Sequence, residues 1–259
     1  MEIPAHDYGH GRPTLIACAL VATWWTGPCQ RRLFSSVRVH EDNYKRWMNG
    51  VALSRSKIRL LGYVRSLWHN RNTRDLAQDS GEYLSALHNL HTLAFNRIDF
   101  EYINEEMFHP CFSAFRETLT HLTLDNFTTS FGAFVTFVDY FPNIKTLELN
   151  LFALRPGGGP NPSLSRPLRG KLHAYEVRDS CLEFFNRFAT LDLEYEELVI
   201  NSIGIFHKTK SAESILRISP RTVKVLTLTD TLERKQPRPA PLIESASLPN
   251  PPMFKSTLR

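Results

Sequence analysis

Little in this sequence points directly to chemistry. Its four cysteines, Cys18, Cys29, Cys111 and Cys181, are far apart and form no Cys-x-x-Cys pair. That spacing excludes a zinc knuckle or a dithiol redox motif, and it reads as reduced thiols in a cytoplasmic or nuclear protein. No Gly-x-Gly-x-x-Gly, His-Glu-x-x-His or Gly-x-Ser-x-Gly occurs, and the glycine run at 157–159 is not followed by Lys-Ser/Thr as a phosphate loop requires. His6 and His10 flank Gly9 near Pro13, so no helix would hold both on one face, and no metal or cofactor is expected. Ser54, Arg55, Ser56 and Lys57 match Ser-x-x-Lys only as chance allows, and an enzyme is not expected.

Long apolar runs are also missing. The longest, Thr14 to Trp25, holds twelve residues, too few to span a bilayer. It follows Glu2, Asp7 and a single arginine and ends in Trp24-Trp25, so it reads as a buried helix and not as a secretory leader. Neither sign of charge dominates, the net charge being +5. The distribution is uneven, since Arg31 to Arg74 carries eleven Lys/Arg against the two acids Glu41 and Asp42. Such a segment is a solvated face or an attractor of nucleic acid and other anions.

What is present is a recurrence. Leu67, Leu93, Leu122, Leu147, Leu172, Leu198 and Leu226 follow one another at intervals of 25 to 29 residues. Each sits in a longer frame of apolar residues: Leu90, Leu93, Phe95, Ile98; then Leu119, Leu122, Leu124, Phe127; then Ile144, Leu147, Leu149, Phe152. Val64-x-x-Leu67 opens the series, with His69 and Asn72 in its later apolar slots. The fifth and sixth frames read Arg169, Leu172, Ala174, Val177 and Tyr195, Leu198, Ile200, Ile203; the seventh reads Val223, Leu226, Leu228, Thr231. Leu-x-apolar has the period of a strand with one buried face. Units of this length bury that face only by stacking on neighbours, which predicts a solenoid.

The connecting segments carry helical stripes: Phe131, Phe134, Val138 and Phe141 within 128–141, Leu182, Phe185 and Phe188 within 180–190, Phe112 and Phe115 within 109–118 with Pro110 in a first turn, and Ile215 and Ile218 within 211–218. The segment 155–170 has four Gly and four Pro and is expected to be a loop. Residues 233–259, rich in Pro and Ser, are expected to be a disordered tail or the remnant of a further repeat.

The Leu-x-x-Leu-x-Leu frame resembles the leucine-rich repeats. It departs from them at the Asn/Cys slot, which holds Ile98, Phe127, Phe152, Val177 and Ile203, so the side-chain Asn ladder of regular repeats is expected to be absent and the turn held by packing. Ahead of the repeats, residues 19–25 (ALVATWW) and 31–39 (RRLFSSVRV), with a turn expected at Gly27-Pro28, resemble the second half of an F-box. With Tyr44 to Trp47, Leu60-Leu61 and Tyr63 to Leu67, nearly the whole chain resembles fungal F-box-like proteins with degenerate leucine-rich repeats. A whole F-box begins with Leu-Pro and an apolar helix; here Ile3-Pro4 precedes the polar 5–13 segment, so the first helix is expected to be missing.

The fold expected is α/β: a leucine-rich-repeat-like solenoid with a curved parallel sheet over 63–232, preceded by a helical F-box remnant at 1–40 and a linker helix or cap at 41–62. The resemblance implies the substrate-recognition subunit of a cullin–RING ubiquitin ligase. Leu20, Val21, Trp24, Trp25, Leu33 and Phe34 would be the remnant of the surface that docks on the S-phase-kinase-associated adaptor. Strand alternation turns the residues flanking each leucine away from the core, so a protein partner is expected on that face, with Trp68, His91, His121, Lys145, Glu148 and His173 as candidate contacts. Glu194, Glu196 and Glu197 read as a solvated strand face and not as an acid/base pair. Two other readings stand beside this one: nucleic-acid or anion binding through 31–74, and a truncated family member without function.

Overall fold

The computed structural model describes residues 23–41, 43, 45, 61–70, 84–100, 103, 105–155, 163–177, 181–202, 223–230 and 253–256. In chain order the elements are α1 (Thr23–Phe34), β1 (Ser36–His40), β2 (Ser66–Asn70), β3 (Thr92–Asn96), α2 (Glu105–Phe112), a 3-10 turn (Ser113–Phe115), β4 (His121–Asp125), β5 (Thr128–Thr129), α3 (Phe131–Asp139), β6 (Thr146–Asn150), β7 (Ala153–Leu154), β8 (Leu168–Val177), α4 (Leu182–Phe188), β9 (Leu193–Ser202), β10 (Val225–Asp230) and β11 (Met253–Ser256). Nine strands form one open parallel sheet in the order β1-β2-β3-β4-β6-β8-β9-β10-β11, and β5 pairs with β7 in a second, two-stranded sheet. The fold class is α/β, as expected.

The recurring leucine sets the register. Leu67, Leu93, Leu122, Leu147, Leu172, Leu198 and Leu226 face one another across successive strands, and all seven are buried. Two residues on, His69, Phe95, Leu124, Leu149, Ala174 and Ile200 form a second buried line. A slip of one residue in any strand would turn its leucine to the opposite face, so the burial itself fixes the pairing. The line also runs backwards into the segment expected to be a helical F-box remnant: Val37 pairs with Leu67 and Val39 with His69, making β1 a member of the sheet.

Helices cover the leucine face. The Phe95 ring meets Phe112 of α2 and Phe137 of α3, each at 6.2 Å. Phe127 meets Phe134 at 6.3 Å, and Phe152 meets Phe184 of α4 at 4.8 Å. Most of the 17 phenylalanines join this chain of ring contacts, which ends where Phe188 stacks on Tyr195. Burial pushes the Tyr195 phenol pKa well above its ordinary value. α3 is capped by Ser130, whose side chain accepts from the Ala133 amide at 3.3 Å.

Each of β3, β4 and β6 leaves the sheet through a residue with positive φ, Arg97 (64°), Asn126 (50°) and Leu151 (46°). The turned chain keeps pairing with its neighbour: Arg97 N donates to the Asp125 carbonyl at 3.0 Å, Asn126 N to Asn150 at 2.9 Å, and Ala153 N to Phe127 at 2.9 Å. The corner expected to rest on packing alone therefore also carries a backbone ladder. Side-chain ties between successive units exist as well, but four residues ahead of the leucines. Asn89 Nδ2 donates to the Gly62 carbonyl at 2.8 Å, Thr118 Oγ1 to Leu90 at 2.8 Å, and Asn143 Nδ2 to Glu117 at 2.7 Å.

Several expected boundaries move. α1 runs through Gly27-Pro28, where a turn was expected. α2 begins at Glu105, which places Pro110 near its end. Leu168 is buried at the start of β8, and Arg169, assigned to the apolar frame, is exposed and bonds Glu194 at 2.7 Å. Residues 163–167 carry no helix or strand, in keeping with a loop there; the remainder of that connector lies outside the described residues. So do the helix expected at 211–218, most of 41–62, Asn72, Ile203, Thr231, and the Ile3-Pro4 start of the F-box likeness. Within the segment expected to be a disordered tail, β11 pairs with β10, setting Phe254 against Leu226.

Candidate functional site

The face of the sheet opposite the helices carries three in-register lines of side chains. The middle line runs Arg38, Trp68, Ala94, Thr123, Glu148, His173, Val199, Thr227. The line before it runs Ser36, Ser66, Thr92, His121, Thr146, Lys171, Glu197, Val225. The third holds His40, Asn70, Asn96, Asp125, Asn150 and Tyr175. Each line exists because residues at the same distance from the leucine meet across parallel strands, so a polar pattern in the repeat becomes a continuous strip.

Of the six candidate contacts, Trp68, Glu148 and His173 share the middle line and His121 begins β4 in the line before. His91 and Lys145 lie one residue outside their strands and are exposed. There the chain makes a repeated feature: the His91 carbonyl accepts from both Thr120 N and His121 N, and the Thr120 carbonyl from both Lys145 N and Thr146 N. The two residues are thus anchored at the strand starts. His91 Nδ1 lies 3.0 Å from the Thr118 carbonyl.

The most connected part of the face is centred on His173. Its Nε2 lies 3.2 Å from Glu197 Oε1 and its Nδ1 is 3.4 Å from the Tyr175 hydroxyl. Glu148 Oε1 is 3.7 Å from Nδ1, an electrostatic neighbour, while Glu148 Oε2 accepts from Thr123 Oγ1 at 3.0 Å. His173 and the Thr123 hydroxyl hold the Glu148 carboxyl below its ordinary range, against the opposing effect of burial. Lys171, paired with Glu197 at 2.5 Å, and then His173 do the same for Glu197. Partial desolvation pushes the His121 imidazole below its usual value; Glu148 opposes this, while Lys145, His91 and Lys171 add to it. The other acids of the cluster at 194–197 also face bases, Glu194 meeting Arg169 and Glu196 meeting Lys224 at 3.3 Å.

Toward β1 the face changes character. Arg38 is exposed, with its guanidinium 5.5 Å from the Trp68 ring centre, and Arg31 lies 5.7 Å from that of Tyr63. No acid stands among the face residues of β1 to β3. Arg38, Asp125 and the amides Asn70, Asn96 and Asn150 were missed in the sequence. The signal for most of them was present, because the residue three past the leucine is Asn or Asp in four consecutive units. Asn150 Nδ2 donates to Asp125 Oδ1 at 3.0 Å, and Asn70 Nδ2 lies 3.3 Å from His40 Nδ1.

Of the adaptor-facing candidates, Trp24 and Trp25 belong to α1, and Leu33 and Phe34 are half-buried at its end. Leu20 and Val21 lie outside the described residues. Among the described residues no group of three or more His, Cys, Asp or Glu is arranged to hold a metal ion, and no helix is long and apolar enough to cross a membrane. No protein-family model, no curated protein and no solved structure matches this chain.

Proposed function

We propose that this chain is a protein-interaction scaffold, a leucine-rich-repeat-like solenoid that holds a protein partner on its open strand face. The observation that carries this reading is the strip of mostly charged, aromatic and hydroxyl side chains, interrupted by Ala94 and Val199, that runs in register from Arg38 to Thr227 on the face turned away from the helices. Stacked-repeat proteins use such extended surfaces for partners. The likeness of 19–39 to part of an F-box extends the proposal to the substrate-recognition role in a cullin–RING ubiquitin ligase, with α1 on the S-phase-kinase-associated adaptor. Pull-down and calorimetry with the purified adaptor test that extension; no binding at micromolar adaptor removes it. For the face, partners cross-linked to the wild-type chain should be lost from Trp68→Ala/Glu148→Lys/His173→Ala, whose melting temperature stays near that of the wild type. An unchanged partner set would refute the scaffold reading.

The exposed Arg38 beside Trp68 favours a second reading, anion binding at the β1 end of the face, including the phosphates of nucleic acid. Retention of single-stranded RNA that weakens steeply with salt and is lost in Arg38→Glu would favour it over the first.

A further inference from the structure

At the strand starts one carbonyl accepts two successive amides of the next unit. Ser35 accepts from Arg65 and Ser66, Arg65 from His91 and Thr92, His91 from Thr120 and His121, and Thr120 from Lys145 and Thr146. Arg65, His91, Thr120 and Lys145 therefore hold one equivalent position ahead of β2, β3, β4 and β6, which are neighbours in the sheet. Arg65, His91 and Lys145 are exposed, and next to Thr120 the exposed His121 supplies a base to β4. Lys145, His91 and Lys171 all act electrostatically on the His121 ring, so these bases stand together. The acids nearby are already engaged. Glu148, which also acts on His121, lies 3.7 Å from His173 and accepts from Thr123 at 3.0 Å. Glu197 pairs with Lys171, and Glu117 lies 3.9 Å from Arg116. Among the described residues Arg65 and Lys145 have no ion-pair partner. The row also has an end: past β6, Gly170 brings no side chain, and Glu196 on β9 reverses the sign and faces Lys224.

Resting on the reading of the open face as a partner surface, we propose that Arg65, His91, His121 and Lys145 form a basic rim that takes an extended acidic segment of the partner, laid across the starts of β2, β3, β4 and β6. The spacing fits this occupant. Neighbouring strands lie about 4.8 Å apart, so Arg65 and Lys145 are separated by three spacings, about 14 Å. An extended chain advances about 3.4 Å per residue and turns alternate side chains to one side, so acids at i, i+2 and i+4 also span about 14 Å. The first meets Arg65, the second the two histidines, and the third Lys145. A single strand of nucleic acid shares the charge, but it binds by stacking bases on aromatic rings as well, and the row holds no Trp, Tyr or Phe.

The test uses the full chain at about pH 6, where an ordinary imidazole is largely protonated, and a capped nine-residue peptide of alternating Glu and Thr. A Lys/Thr peptide and a single-stranded oligonucleotide are comparators, and calorimetry reads the affinity. The wild type should bind the acidic peptide and not the basic one. Lys145→Glu should weaken the acidic peptide by about tenfold or more, and Arg65→Glu/Lys145→Glu should abolish its binding while the melting temperature stays near that of the wild type. If charge reversal does lower the melting temperature, Arg65→Gln/Lys145→Gln removes the charge alone and should still weaken binding by about fivefold or more. Lys224→Glu makes the same change of charge just before β10, outside the rim, and should alter affinity by less than about twofold. Failure of the wild type to bind the acidic peptide, an equal loss in Lys224→Glu, or an oligonucleotide that binds as tightly and responds to the same variants would each overturn the proposal. The second would assign binding to net charge and the third to nucleic acid. The scaffold reading survives the first two provided that Trp68→Ala/Glu148→Lys/His173→Ala still loses its cross-linked partners.

Discussion

At the scale of single residues, the strictest demand falls on Gly170. It has φ of 98°, and a Cβ there would be driven into the Lys145 backbone, 2.9 Å from its carbonyl carbon. That carbonyl already accepts Lys171 N at 2.8 Å, so it cannot retreat without breaking the register where β8 joins β6. Gly170→Ala should therefore lower stability by at least about 1–3 kcal/mol, the usual cost of a strained backbone conformation, read as a fall in melting temperature. The charged residues of the open face set a pH dependence. Glu148 and Glu197 have folded pKa values below the ordinary 4.5, so the stability they contribute is present above that value and is lost as pH falls through the folded ones. His121 has a folded pKa below the ordinary 6.5; the unfolded chain takes the proton first, so stability also begins to fall as pH drops from that point. Urea midpoints followed from about pH 8 to about pH 3 should decline in both windows. Glu148→Gln should flatten the lower one and His121→Gln the upper one. A steeper decline in either variant would reverse the assigned sign.

At the scale of elements, the two faces of one strand should answer substitution differently. Leu147 is 1% exposed between Leu122 and Leu172, and Leu147→Ala should cost about 2–5 kcal/mol. Phe184, fully buried against Phe134 at 4.9 Å and Phe152 at 4.8 Å, should cost about 3–5 kcal/mol when replaced by alanine. Thr227→Ala, on the open face, should stay within about 0.5 kcal/mol. Denaturant midpoints compare all three. This contrast is also what made the sheet legible: Leu-x-apolar at a fixed recurrence specifies which face is buried, and the parallel register follows from stacking like on like. The stripe of Phe131, Phe134 and Val138 foretold α3 for the same reason. Less legible were features that depend on a neighbouring unit. Nothing local to Arg97 or Leu151 announces a left-handed turn, whereas Asn126 is of a type enriched there; the carbonyls that hold the turns at Arg97 and Asn126 lie on the next strand. Val37 and Val39 escaped because their spacing to Leu67 exceeds that of the later units and their segment matched a different motif. In the site, alternation alone found Trp68, Glu148 and His173, whereas pairing His173 with Glu197 needed the register of two strands.

At the scale of the molecule, the proposed solenoid, whose strands neighbour one another both in sequence and in space, predicts a stability that sums over adjacent units. The units are unequal. From Phe95 to Tyr195 the rings of strands and helices touch in succession, and the leucines of β3 to β9 are buried on both sides by their neighbours. At β10 the line weakens: Leu226 is buried, but Val223 and Leu228 are only partly so. At the other end Val37 retains 8% exposure and His69 stands in a line otherwise filled by apolar side chains. Opening should therefore begin at the ends and reach the aromatic centre last. Native-state hydrogen exchange should show protection highest for the amides of β4, β6 and β8, lower for β2 and lowest for β10, with the central amides approaching the global unfolding free energy. Adding Phe184→Ala should pull the central amides down toward the rest while leaving β10 nearly unchanged, because β10 opens without disturbing α4. If β10 instead loses protection in step with β6, the chain unfolds as a single cooperative body, and the description by neighbouring units fails.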